Sequence, residues 1–306
     1  MRRNGVVVRV PGKVNLQLSV GPLEADGYHE VTTVFQAISI YDDLTLRFAE
    51  PGTGIVLHAT GSTAYGVPLD ATNLAYRAAQ LMIDRHDLDS DISIHIKKEI
   101  PVAGGMAGGS ADAAAVIVAF DALYELGLSR DGMEQIGAEL GSDVPFAITG
   151  GIAIGRGHGE HLTPVLARGS YNWVLALAPQ GLSTQSVYNE CDRLRSGLEI
   201  ARPQVGDSIL QALRAGDAIM LGKSFSNDLQ SAACSLRPAL RLVLAVGIDY
   251  GALGAIVSGS GPTVAFLVQD EERALDLTVA LSASGVVAGV IRATGPVHGA
   301  RVIETL

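Results

Sequence analysis

Apolar and polar residues alternate through much of the first third of the chain, and a period of two marks strands. Val6–Val10, Val14–Val20, Val31–Ile40, Asp43–Phe48, Ile55–Ala59 and Ile92–Ile96 read as strands, separated by turn residues such as Pro11-Gly12, Gly21-Pro22 and Pro51-Gly52. Helical spacing appears among them. Leu74, Ala78, Leu81 and Met82 share one face of a helix over Asn73–Arg85, a second helix runs from Ser110 to Leu126, and a third from Arg130 to Leu140. A polar break at Arg168-Gly-Ser170 precedes the strand Tyr171–Leu177, after which helices start at Ser183, Asp207, Ser226 and Glu271. Two strands flank Ser258–Thr263, the second being Val264–Val268. The pattern predicts an α+β (mixed α/β) chain of two domains, 1–168 and 169–306. The second would be helices packed on an antiparallel sheet, with a ligand cleft between the domains.

Composition adds limits. A chain of 306 residues, 48% of them apolar, can build more than one core. A formal charge of -10 and a pI near 5.1 argue against a broad nucleic-acid face, which needs a basic patch, so an anionic ligand has to be held by local devices. Cys191 and Cys234 make neither a disulfide framework nor a metal spacing and read as buried small hydrophobes in a reducing compartment. After Met1-Arg-Arg-Asn4, the apolar stretch Val6–Val8 is cut by Arg9 and is too short for a signal peptide. The longest apolar run, Ala113–Phe120, is far below the ~18 residues of a membrane span. A cytoplasmic protein without a membrane partner is expected.

The segment Pro101-Val-Ala-Gly-Gly-Met-Ala-Gly-Gly-Ser110 packs four glycines into six residues and leads directly into a helix. Glycines let the backbone approach an anion, and the helix head offers unpaired N–H groups and the positive end of its dipole. Strand, glycine loop and helix in that order suit a phosphate. The segment lacks the Gly-Lys-Ser/Thr ending of a P-loop and does not fit the dinucleotide fingerprint. A glycine turn capped by Ser110 is the competing reading.

Strict alternation over Lys13–Val20 puts Val14, Leu16, Leu18 and Val20 on one face and Lys13, Asn15 and Gln17 on the other. That second face is either solvated or aims a lysine and an amide at a site. In Gly141-Ser-Asp-Val-Pro-Phe146, Asp143 sits where a carboxylate can cap a short helix or serve as a general base. Tyr28 and His29 follow a turn-prone Asp-Gly pair and suit stacking on a planar ligand. No second ligand lies at zinc spacing from His29, and no nucleophile elbow is visible.

Together these segments resemble the GHMP kinases, a family of small-molecule kinases. Pro11-Gly-Lys-Val-Asn-Leu16 is similar to the family's first motif, Pro101–Ala115 to its second and Val257-Ser-Gly-Ser-Gly-Pro-Thr263 to its third, in matching order and spacing. Ala25–His29, Thr33-Val-Phe-Gln36 and Gly141–Phe146 further resemble the branch that phosphorylates a cytidine diphosphate conjugate of methylerythritol. The resemblance implies a two-domain fold with ATP and a small-molecule substrate in the interdomain cleft, Mg2+ as cofactor, and no nucleic-acid partner. It implies Asp143 as catalytic base and Lys13 as the lysine beside it. Pro101, Val102, Ala103, Gly104, Gly105, Met106, Ala107, Gly108, Gly109, Ser110 and Ala111 would cradle ATP, with Asn73 on the adenine side or, equally, a helix cap. Tyr28, His29 and Tyr188 would hold the cytosine, with Asn15 and Thr184 toward the methylerythritol and Gly259, Ser260 and Gly261 closing the site.

Two departures stand out. Many members have another glycine at Ala103 or Ala107, and Asn or Ser at Asp112, where a carboxylate has to face away from the phosphates or help hold Mg2+. A homoserine, mevalonate or sugar kinase with the same motifs, and a non-catalytic ligand sensor on this fold, are the alternative readings.

Overall fold

The computed structural model describes residues 4–25 and 27–306. Met1–Arg3 and the Asp26 half of the Asp-Gly turn lie outside the described residues. The first part of the chain forms β1 (Gly5–Leu23), β2 (His29–Phe48), β3 (Ile55–Thr60), α1 (Leu74–His86), β4 (Ile92–Lys97), α2 (Gly108–Tyr124), α3 (Arg130–Ala138), α4 (Val144–Thr149), β5 (Ile152–Arg156) and β6 (His161–Pro164). The remainder forms β7 (Tyr171–Leu177), α5 (Thr184–Arg195), α6 (Asp207–Ala215), α7 (Ala218–Lys223), β8 (Ser226–Asn227) and α8 (Gln230–Leu236). It ends with α9 (Ala239–Asp249), β9 (Gly254–Val257), β10 (Val264–Val268), α10 (Glu271–Ala283), β11 (Gly289–Gly295) and β12 (Arg301–Thr305).

Two strands of 19 and 20 residues replace the four that turn residues suggested at the start of the chain. β1 and β2 pair antiparallel along their whole length, and the Pro11-Gly12 signal is absorbed as a register shift within the ladder. A second shift between Asn15 and Gln17 matters more. It reverses the inside–outside alternation: Val14 and Leu16 join one core while Leu18 and Val20 join another. Gln17 is correspondingly turned away from Lys13 and Asn15, and bonds Gln204 O at 2.7 Å and Gly206 N at 2.9 Å.

The large sheet runs β12-β1-β2-β4-β3, with β5 and β6 branching from β2 and β8 from β1. Val6, Val8, Val10, Leu44, Leu46, Ile92, Ile94 and Ile96 pack on α1 and α2, where Ala75, Ala78, Ala79, Ala111, Ala114 and Ala115 let the two helices approach closely. The small sheet, β11-β7-β10-β9, is antiparallel. Alternation along β7 divides it: Trp173 and Leu175 face the first core, Val174 and Ala176 the second core beneath α8, α9 and α10. Trp173 Nε1 donates to Gln36 Oε1 across the junction at 2.7 Å.

The division at 168/169 therefore runs through a shared core, and β12 returns from the second half to the edge of β1. Ser226 opens no helix; it lies in β8, and α8 begins at Gln230. Asn227 explains the difference, because its Oδ1 takes Leu229 N and its Nδ2 reaches across to Val257 O and Gly259 O. Both cysteines are buried and free. Among the described residues no helix is long and apolar enough to cross a membrane.

Candidate active site

The glycine loop joins β4 to α2, and its shape comes from left-handed residues in alternation: Ala103 at φ +53°, Gly105 at φ +76° and Ala107 at φ +58°. The two alanines pay roughly 1–2 kcal/mol each for a conformation that glycine adopts freely. α2 begins at Gly108, two residues earlier than expected, and its N-cap is Ala107 with no side-chain bond, so Ser110 is not the cap. Its first helical bond runs from Ala111 N to Ala107 O, leaving the amides of Gly108, Gly109 and Ser110 outside the helix ladder. Gly105 is required by packing: a Cβ there would lie 2.2 Å from Ser258 O. Ser258 Oγ in turn donates to Gly105 O at 3.1 Å, so the loop docks on the β9–β10 turn.

That turn reaches the lysine of β1. Gly259 holds φ +58°, and a Cβ on it would sit 3.3 Å from Lys13 Nζ and 3.2 Å from Asn15 Oδ1. Lys13 Nζ donates to Asn15 Oδ1 at 2.6 Å and lies 3.7 Å from Asp143 Oδ2. Asn15 Nδ2 passes the chain on to Thr33 Oγ1 at 2.8 Å. The ammonium also lies 5.6 Å from the centre of the Phe35 ring, which stacks on Phe146. The polar face of β1 is thus buried rather than solvated, and burial lowers the Lys13 pKa while Asp143 opposes that shift. Asp143 precedes α4 in αR geometry and makes no capping bond. Its carboxylate, one-third exposed, remains available in the cleft.

Rings gather at the other end. Tyr28 lies 5.2 Å from His158, and His29 lies 5.3 Å from Tyr188, centre to centre. His29 Nδ1 is 2.9 Å from Gly21 O, which can only accept, so this nitrogen carries the proton and Nε2 faces Asp192 Oδ1 at 3.3 Å. Burial, with help from Asp143, pushes the Tyr188 phenol up to about 12. Thr184 Oγ1 meets Ser260 Oγ at 3.0 Å, tying the head of α5 to the glycine turn.

One cleft of about 680 Å³ contains all of this, a volume suited to a small ligand. It brings together Lys13, Asn15, Tyr28, His29, Asp143, Thr184 and Tyr188 with Pro101, Ala103, Gly104, Gly105, Ala107, Gly108, Gly109 and Ser110. Four expected residues do not line it. Met106 and Ala111 are core residues, Val102 is exposed outside the cleft, and Asn73 caps α1 by accepting from Ala75 N at 2.8 Å. Asp112 also faces away, buried against Lys98. Thr33 and Phe35 of the Thr33–Gln36 motif line the cleft though sequence reading gave them no role, and it missed His158, Asp192, Gln185 and Asn189 there altogether. Only the last three left a signal: Gln185, Tyr188, Asn189 and Asp192 recur at helical spacing along α5.

The GHMP kinases N terminal domain model matches residues 73–151 and the GHMP kinases C terminal model residues 209–287. The chain is 52% identical over 300 residues to the 4-diphosphocytidyl-2-C-methyl-D-erythritol kinase of Mycolicibacterium smegmatis, covering 97% of this chain and 92% of the relative. It belongs to this family of GHMP kinases. A crystal structure of 4-(cytidine 5'-diphospho)-2C-methyl-D-erythritol kinase superposes with TM-score 0.75 at 31% identity, covering 94% of this chain and 98% of that one. A homoserine kinase from Cytophaga hutchinsonii superposes with TM-score 0.76 at 18% identity, covering 99% and 98%, and shares the fold. In this GHMP kinase the N-terminal match takes in the glycine loop and Asp143, and the C-terminal match the Gly259 turn.

Proposed function

We propose that the chain transfers the terminal phosphoryl group of ATP to the 2-hydroxyl of 4-diphosphocytidyl-2-C-methyl-D-erythritol, a step of non-mevalonate isoprenoid synthesis. The observation that carries the proposal is the sequence of chemistries along one cleft. Free amides stand at one end, the Lys13–Asp143 pair in the middle and a cluster of rings at the other. A nucleoside diphosphate conjugate whose alcohol must meet a triphosphate has that same order of parts.

The amides of Gly108, Gly109 and Ser110 and the dipole of α2 suit the triphosphate. Asp143, free of capping duty, accepts the hydroxyl proton, and Lys13 stabilises both the carboxylate and the developing alkoxide. Asn15 orients the lysine through its 2.6 Å bond. At the ring end, Tyr28 and Tyr188 offer faces for cytosine, worth roughly 1–3 kcal/mol per stacked base. The Asp192 carboxylate, beside His29 Nε2, accepts hydrogen bonds and suits the exocyclic amine of cytosine. Mg2+ fits as an ion carried by the triphosphate. Among the described residues no three ligating side chains converge on a site, and Asp112 is committed to Lys98. The Ser110 hydroxyl is the loop side chain placed to reach it, and the ion would neutralise the transferring group.

A coupled ADP-release assay with Mg-ATP tests this by comparing the cytidyl substrate with homoserine, mevalonate and galactose. Turnover on the cytidyl substrate alone sustains the proposal. Turnover on another alcohol instead would keep the kinase and discard the cytosine end, and none on any would favour ligand sensing without chemistry.

A further inference from the structure

Beneath the glycine loop, on the side away from the cleft, lies a buried ionic cluster that the reaction as described does not use. Lys98 Nζ lies 2.5 Å from Asp42 Oδ2, 2.6 Å from Asp112 Oδ2 and 3.0 Å from Gly108 O, so all three ammonium hydrogens are engaged. The Lys98 and Asp112 side chains are each 3% exposed and that of Asp42 is fully buried. Asp42 Oδ1 takes the amides of Glu99 and Ile100, at 2.6 Å and 2.9 Å, where the chain enters the loop. One ammonium therefore fastens β2, the loop entrance and the head of α2 to one another.

We propose that Lys98, held between Asp42 and Asp112, is a positioning residue that fixes the head of α2 so that its amides face the triphosphate. The proposal rests on the reading of the loop as a phosphate cradle. In a trans peptide the carbonyl and the next N–H point in opposite directions. Gripping Gly108 O from beneath sets the plane of the Gly108–Gly109 peptide and turns the Gly109 amide away from the grip, and Gly109 lines the cleft. Gly108 makes the grip possible, since a Cβ there would come 3.0 Å from Lys98 Nζ and 3.2 Å from Ile100 Cγ2. The loop cannot hold this plane through a capping side chain, because Ala107 offers none.

Charge agrees with the geometry. Two ionised carboxylates around one ammonium would leave a net negative charge behind a site built for phosphate. Burial pushes the Asp112 carboxyl well above the usual range, Lys98 opposing the shift and Asp42 adding to it, which favours the form that lessens negative charge behind the loop. Asp112 Oδ1 has no hydrogen-bond partner among the described residues. Stability gives little reason for such a cluster, since buried ion pairs are commonly replaced by apolar side chains without loss.

The decisive variant exploits that last point. Asp42→Asn, Lys98→Met and Asp112→Leu combined remove every charge, while the carbonyl oxygen of the amide introduced in β2 still accepts from Glu99 and Ile100. We expect a Tm near that of the parent, a KM for ATP raised at least ~10-fold and a KM for the cytidyl substrate within about twofold. A KM for ATP equal to the parent's in the folded triple variant would overturn the positioning role and leave a merely structural cluster. Should the triple change cost the fold, Lys98→Met with Asp42→Asn and Asp112→Asn, which keeps near-isosteric polar side chains and leaves no buried charge unpaired, gives the same reading. Failure of the parent itself to turn over ATP would instead strike the functional assignment, so the two failures are distinguishable.

Discussion

At the scale of single residues, the proposed function turns on how Lys13 and Asp143, 3.7 Å apart, divide the work. On the proposed mechanism Asp143→Asn keeps the shape but removes the proton acceptor, and turnover should fall at least ~100-fold with the KM for ATP little changed, measured by steady-state kinetics. The lysine gives a pH signature. Its pKa is lowered from 10.5 by burial, so its charge, and with it kcat/KM, should be lost at a pH below that of an exposed lysine. The sign for stability is opposite. Between the lowered native pKa and 10.5 the unfolded chain binds the extra proton, so this group adds stability as pH rises through that window. Thermal melts at the pH values of the activity profile should therefore show no matching loss from Lys13, separating a titration from unfolding. Sequence alone makes Lys13 and Asp143 legible as residue types at suggestive places. It cannot show that Asp143 forgoes capping or that the Lys13 face is dry, because both depend on what packs opposite.

Among elements, the bulge in β1 and the two-residue strand β8 decide most. Periodicity assigns β1 its residues, but a period of two cannot foresee a shift between Asn15 and Gln17 that sends Gln17 elsewhere and brings Leu18 to the cleft wall. β8 is hidden for another reason. It is too short for any pattern, and Asn227 within it works through backbone carbonyls distant in sequence. Asn227→Ala would leave Val257 O and Gly259 O without that donor, costing roughly 1–3 kcal/mol and loosening the turn that faces Lys13. A lowered Tm accompanied by a raised KM for ATP is the expected outcome. The helices are most legible where caps are explicit, as at Ser129, Ser183 and Asp270, and least at α2, whose head is shaped by left-handed alanines.

For the molecule as a whole, the two sheets share one core, and the last strand along the chain lies against the first. β12 pairs Val6–Arg9 of β1 and, with Leu306, brackets Gly5 through reciprocal backbone bonds of 2.9 Å and 2.8 Å with Asn4 and Gly5. This closure is illegible in the sequence, since Arg301–Thr305 alternates no more clearly than many loops and its side chains are exposed. Removing residues 301–306 should bare the edge of β1, lower Tm and give concentration-dependent association in size-exclusion chromatography.

The same closure sets an order on synthesis. A ribosome delivers β1 before β12, so a nascent chain carries the open edge of its lysine-bearing strand while every element between them is made. The chain must keep that edge from pairing with strangers until Arg301–Thr305 has emerged, so the first strand of this fold is covered only after every other strand and helix described has been made.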